Sequence, residues 1–215
     1  MFTQRQISGV LRQIAGQDVV EITEGALYTS RLAALVHLVE HYGFEYADAR
    51  RHGADKKQIT AYLYRDPRPE ARAREAATIA AYPQAGNGGP APGMRPGSLK
   101  PLPEAREAVA RNKDRIAYDV MAQAAGTQQQ AVAWGAVVVL VLVLLVAGMY
   151  LGALIGGVLM AGFLVGAFKL GGVRRERIAA RLQAAGFVAV RDEHGRQRLL
   201  RPGQQLPGHA NPFAG

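Results

Sequence analysis

The sequence predicts an integral membrane α-helical hairpin of two transmembrane helices, flanked by a small cytoplasmic α+β N-terminal domain and a short helix plus β-hairpin C-terminal module. Three observations predict it. Residues 131–168 are 38 consecutive positions without a charge, Asn, Gln, Ser, Thr or Pro, whereas one bilayer crossing needs about 20 apolar residues. Of the formal net charge of +9, residues 169–215 carry +6, from nine basic and three acidic groups. Residues 1–82 carry 11 basic and 10 acidic groups and alternate between helical and strand-like patterns.

Within residues 1–82, Ile7, Val10, Leu11 and Ile14 recur at helical spacing, so a helix over 3–15 ends at Gly16. A short strand over 18–23 follows. The next helix, about 25–42, puts Tyr28, Leu32, Leu35, Val36 and Val39 on one face and stops at Gly43. Residues 44–50 and 59–65 read as two strands joined by a polar turn containing His52-Gly53, and an Ala-rich helix follows Pro69. The Pro/Gly-rich segment 83–103 has no apolar period and reads as a flexible linker that lets the domain search for partners. Residues 104–130 read as an amphipathic juxtamembrane helix, with Glu107/Arg111 and Arg115/Asp119 as surface pairs and Val109, Ile116 and Val120 as a thin apolar stripe.

As one helix, the apolar block would be about 57 Å long, near twice the hydrocarbon thickness. Two antiparallel spans, about 131–147 and 151–168, fit better, with the reversal at Gly148-Met149-Tyr150. Lys169, Arg174, Arg175, Arg177 and Arg181 follow the block, while Arg111, Lys113 and Arg115 precede it. The positive-inside rule then puts both termini in the cytoplasm, and the trailing cluster suits anionic membrane-lipid headgroups. Trp134, Tyr150 and Phe168 fall at interfacial depth. Gly148, Gly152, Gly156, Gly162 and Gly166 form a small-residue stripe for helix packing, against the bulky first span or against another copy. Beyond the block, Gly171-Gly172 offers a joint before a basic helix over about 173–185. Strands 187–190 and 196–201 make the hairpin of the 169–201 module, and 202–215 reads as a disordered tail.

Composition narrows the chemistry. With no cysteine, disulfides, thiolate metal sites and cysteine nucleophiles are excluded. Arginine (21) far exceeds lysine (5) and alanine reaches 37, a codon bias of GC-rich bacterial genomes. No charged and then apolar leader opens the chain, so no cleavable signal peptide is expected. His37-Leu38-Val39-Glu40-His41 matches the H-x-x-E-H pattern of inverted zinc peptidases, but the two histidines fall opposite the apolar face and read as a solvated surface. Asp48 with Asp55-Lys56-Lys57 is faintly like a nuclease signature, with its Lys on a turn. The helix ending at Gly43 and the hairpin bearing Arg50, Arg51, Lys56 and Lys57 near its tip resemble the recognition helix and wing of winged-helix DNA-binding proteins. That resemblance implies phosphate contacts by those four residues. The outward face of the helix offers only Ser30, Ala34, His37 and His41, so nucleic acid is the less favoured partner.

No catalytic, cofactor-binding or metal-binding set assembles. The reading is a non-enzymatic bacterial inner-membrane protein acting as an anchor, adaptor or subunit of a larger assembly, with a protein partner or a second copy of itself. The alternatives are a small self-associating pore and a membrane-tethered nucleic-acid binder.

Overall fold

The computed structural model describes residues 2–53, 57–124, 127–192 and 195–204. It mixes helices with two small antiparallel sheets and contains one long apolar helix. In order, the elements are α1 (Phe2–Gly16), β1 (Val19–Gly25), α2 (Thr29–His41), β2 (Phe44–His52), β3 (Gln58–Arg65), α3 (Pro69–Ala81), α4 (Arg106–Ala124), α5 (Thr127–Val146), α6 (Tyr150–Ala184), β4 (Val188–Arg191) and β5 (Gln197–Leu200).

The first sheet has strand order β1-β3-β2, with β3 central. Val20 and Ile22 of β1 and Ile59, Ala61 and Leu63 of β3 alternate into the core at the two-residue period of a strand. A register shift between Tyr46 and Asp48 leaves Ala47 outside the β2 ladder, a bulge that frees its carbonyl for another partner. Against this sheet lies α2, in which every residue from Leu32 to Glu40 is buried. A helix covered all round is a core helix, so the outward face expected from its periodicity does not exist. At its C-terminal end, Thr78 Oγ1 donates to the His41 carbonyl (2.9 Å) and Arg74 Nε to the Glu40 carbonyl (3.0 Å), satisfying groups that the helix itself leaves open.

The covering comes from two segments that the sequence places outside the core. Residues 83–103 are laid across the domain and are not a free tether: Ala85, Ala91, Met94 and Leu99 are buried in the same core as α1 and α2. Leu102 N–H donates to the Gly93 carbonyl (2.9 Å), closing the second half of this excursion on itself. A chain that drapes over a surface buries single residues at irregular intervals, which is why no period announces it. α4 also belongs to the domain: it packs against α2 and β2, with Ile116 at its most buried point.

α6 is continuous over 35 residues, about 52 Å at 1.5 Å per residue; there is no joint at Gly171-Gly172. Its C-terminal part packs on α4, where Tyr118, Ile178, Leu182, Phe187 and Leu199 form a second core. Gly186 (φ +88°) ends α6 as Gly43 (φ +80°) follows α2, and each is followed by a buried Phe and a hairpin. Gln204, assigned by sequence to a disordered tail, is buried. The remainder of that tail, from 205 on, lies outside the described residues, as do Asp55 and Lys56.

Candidate functional site

Two features stand out: an uncovered apolar helix pair and a sealed charge cluster above it. The helix pair reverses at Gly148, whose φ of +75° suits glycine. Met149 N–H donates to the Leu144 carbonyl (2.9 Å) and Gly148 N–H to the Leu145 carbonyl (3.0 Å), a Schellman ending for α5. α6 then returns alongside α5. Gly157 sits where they meet, since a Cβ there would lie 3.0 Å from Val141 Cγ2. The glycines singled out by spacing do not do this work. Gly156, Gly162 and Gly166 have nothing within 4 Å of a Cβ position, and Gly152 touches only Met149.

Among the described residues from 131 to 168, only Val137 and Ala153 are buried. Val132, Val143, Leu151 and Phe163 stand exposed, and Val146 is 90% exposed. α6 is, among the described residues, the one helix both long and apolar enough to cross a membrane; the apolar part of α5, Gln130–Val146, falls in the 10–17 residue class.

The basic collar divides. Lys169, Arg174 and Arg177 are exposed. Arg175 lies over the Tyr118 ring (4.6 Å) and donates to its hydroxyl (3.2 Å), while Arg181 grips Asp114 through Nε and Nη2, both at 2.9 Å. Two of the five cations therefore hold α6 to α4. The Arg181 pair is exposed and screened by solvent, so it orients the two helices more than it stabilises them.

The charge cluster joins α2, β2, α4 and β5. Glu40 accepts from Asn112 Nδ2 (2.8 Å), Arg115 Nη1 (3.2 Å) and Arg201 Nη2 (3.2 Å). Burial works to raise the Glu40 carboxyl, but Arg201, Arg115 and the Asn112 hydrogen bond together hold it below the usual range. Arg115 lies between the Tyr46 and Phe187 rings (4.5 and 5.2 Å) and also donates to the Tyr46 carbonyl and Gln204 Oε1. Burial lowers its affinity for the proton. Nearby, Tyr46 O–H donates to Asp119 Oδ2 (2.7 Å), and Arg198 lies 3.7 Å from that carboxylate and 3.3 Å from Asp48. Arg198 also donates to the carbonyl of Ala47, the bulge residue. Burial pushes Asp119 up to about 6, and burial with the adjacent Asp119 drives Tyr46 well above its ordinary range. Through Arg198 and Arg201 the cluster clasps the C-terminal hairpin onto the N-terminal fold.

Sequence reasoning missed this cluster. It paired Arg115 with Asp119 by helical spacing, whereas each turns to a distant partner. The one available signal was three charged residues within otherwise apolar or strand-like runs: Glu40, Asp48 and Arg198.

The other sequence candidates come out as follows. His37 and His41 are edge to face, with Nε2 atoms 3.3 Å apart, and are not a solvated surface. His37 is packed beneath Gly93, and burial, with His41 adding to it, lowers it to about 4. Among the described residues no group of three or more His, Cys, Asp and Glu is placed to hold a metal ion. Asp48 bonds Arg50 Nε (2.9 Å) inside the clasp. Arg50, Arg51 and Lys57 are exposed at the β2–β3 tip, but α2 is enclosed and has no face to lay in a nucleic-acid groove. The helix half of the winged-helix resemblance is therefore absent.

No protein-family model matches the chain, and no curated protein or solved structure matches it significantly.

Proposed function

We propose that α5 and α6 form a two-helix anchor in a bacterial inner membrane, with the folded domain and both termini on the cytoplasmic side. The protein then acts as a non-enzymatic adaptor or subunit that presents this domain to a protein partner. The observation carrying the reading is the bare apolar surface of the helix pair, which no other described part of the protein covers. Apolar surface left in water costs about 25 cal/mol per Å², so these helices need a cover, and lipid supplies one. The 17-residue stretch Gln130–Val146 is about 26 Å long, slightly short of the hydrocarbon thickness, and local thinning with Lys169 reaching to the headgroups accommodates the difference. Lys169, Arg174 and Arg177 at the domain end support the cytoplasmic orientation.

The adaptor role draws on the clasp, whose charged groups among the described residues hold elements of the domain together. Reporter fusions at both chain ends test the anchor: cytoplasmic activity at each end, with carbonate-resistant membrane association, is expected. Periplasmic activity after Gly215 or release by carbonate would overturn it. Crosslinking in cells followed by solubilisation tests for the partner, and recovery of the chain alone would remove the adaptor role.

A further inference from the structure

α6 serves as a ruler because it is continuous and both α5 and α4 lie against it. Asp114 of α4 meets Arg181, and Tyr118 meets Arg175. Moving from Asp114 to Gln123 descends about 13 Å, which brings Gln123 level with the region of Gly172, about 5 Å from Lys169, the first charge after the apolar block. β2 is pinned to α4 at that height. Gln123 Nε2 donates to the Ala49 carbonyl (3.0 Å), and Arg51 N–H donates to Gln123 Oε1 (3.2 Å). Because Tyr46 reaches Asp119 one turn earlier, β2 runs in the same direction as α4, toward the anchor. His52 and Gly53 continue by about 3.3 Å each, to the level of Lys169.

The loop between β1 and α2 ends at the same place. Gly25 pairs with Gln58, and Ala26 N–H donates to the Lys57 carbonyl (2.8 Å). Leu27 is 95% exposed there, with Tyr28 exposed beside it under Arg31 (5.5 Å from the ring). An exposed leucine alone carries no meaning. One at the sheet end nearest the anchor, beside an exposed tyrosine and near Arg51 and Lys57, has the composition of an interfacial contact: an apolar wedge, an amphipathic ring and cations for phosphate.

We infer that this end of the sheet is a second membrane contact, in which Leu27 and Tyr28 enter the headgroup region and Arg51 and Lys57 meet anionic lipid phosphates. The inference rests on the anchor reading of α5 and α6. It gives the basic hairpin tip a lipid partner in place of nucleic acid, and makes the domain lean on the bilayer at a point separate from its anchor.

The chain has no cysteine, so single-cysteine variants of the full chain take an environment-sensitive fluorophore cleanly. Leu27→Cys, Glu104→Cys and Val143→Cys are compared in phosphatidylcholine vesicles with and without phosphatidylglycerol. Probe emission at 143 is expected to be blue-shifted in both, and at 104 to be aqueous in both. At 27 it is expected to shift to the blue with phosphatidylglycerol and to return to the aqueous value in an Arg51→Glu/Lys57→Glu background. An aqueous signal at 27 with a lipid signal at 143 overturns this inference and leaves the anchor standing. An aqueous signal at 143 overturns both. A signal at 27 that is shielded in native membranes but aqueous in pure lipid assigns the patch to a protein and overturns the lipid contact.

Discussion

Replacing Glu40 by Gln removes the one carboxylate that Arg115, Asn112 and Arg201 share. The two cations differ greatly in what they lose. The Arg201 side chain is 41% exposed, so its pair contributes less than about 1 kcal/mol. The Arg115 side chain is 2% exposed and would keep a buried charge with only neutral acceptors, a loss of about 3–5 kcal/mol. Against a total stability of about 5–15 kcal/mol, that is a large fraction, and the first element to loosen is the β4–β5 hairpin. Arg115→Met fills the slot between the two rings with an apolar side chain. In the Glu40→Gln background it should restore about 2 kcal/mol or more, since removing both members of a buried pair costs far less than removing one. The assay is urea unfolding of the protein in nanodiscs followed by far-UV circular dichroism, with hydrogen exchange of residues 187–201 read in parallel. Strictly additive losses in the double variant would refute the reasoning, because they would mean that Glu40 and Arg115 are not coupled.

Acid titration should separate two opposing groups. His37, lowered to about 4, favours unfolding as pH falls from 6.5 toward 4, because the unfolded chain binds the proton first; the stability present above 6.5 declines by roughly 3 kcal/mol. Asp119, raised to about 6, acts with the opposite sign, since the folded state binds its proton more tightly and stability falls by roughly 3 kcal/mol as pH rises from 4 to 6. Urea midpoints between pH 4 and 6.5 should therefore rise more steeply with pH in Asp119→Asn and less steeply in His37→Gln than in the parent; parallel profiles would contradict both assignments. Gly157→Leu should disrupt the α5–α6 contact by about 1–3 kcal/mol, seen as lost crosslinking between Ala133→Cys and Leu164→Cys. Gly162→Leu should leave it intact, and a loss there would show that the open stripe is itself an interface. Met94→Ala should cost about 2–5 kcal/mol by the same urea assay; no cost would mean that residues 83–103 do not belong to the core.

The six elements of residues 1–82 were legible because each carries its own period: Ile7, Val10, Leu11 and Ile14 for α1, and Ile59, Ala61 and Leu63 for β3. Local pattern also located the reversal at Gly148 and the two C-terminal strands. What covers an element is a long-range matter, and there the pattern failed. Leu32, Leu35 and Val36 mark one face of α2 but say nothing of Met94 and Ile116 closing the other. His37 and His41 looked solvated for the same reason. The pair Gly171-Gly172 suggested a break, but glycine in a helix costs only about 1 kcal/mol per residue, and the packing of Ile178 and Leu182 on Tyr118 outweighs it. Gly157 was passed over for the regular stripe because the spacing of glycines does not identify which side of a helix meets its neighbour.

The unbroken course of α6 has a mechanical consequence. A helix of 35 residues that begins at Tyr150 and ends beside the clasp is a lever arm with no hinge between its apolar part and the domain. A change in tilt of about 10°, within the range that bilayer thickness imposes on spanning helices, would swing its far end by on the order of 9 Å for a rod of this length. The sheet tip at Leu27 would press into the headgroups or lift away with it. With α5 and α6 anchored as proposed, bilayer thickness would become a mechanical input to the domain, read out as the angle at which the domain stands on the membrane.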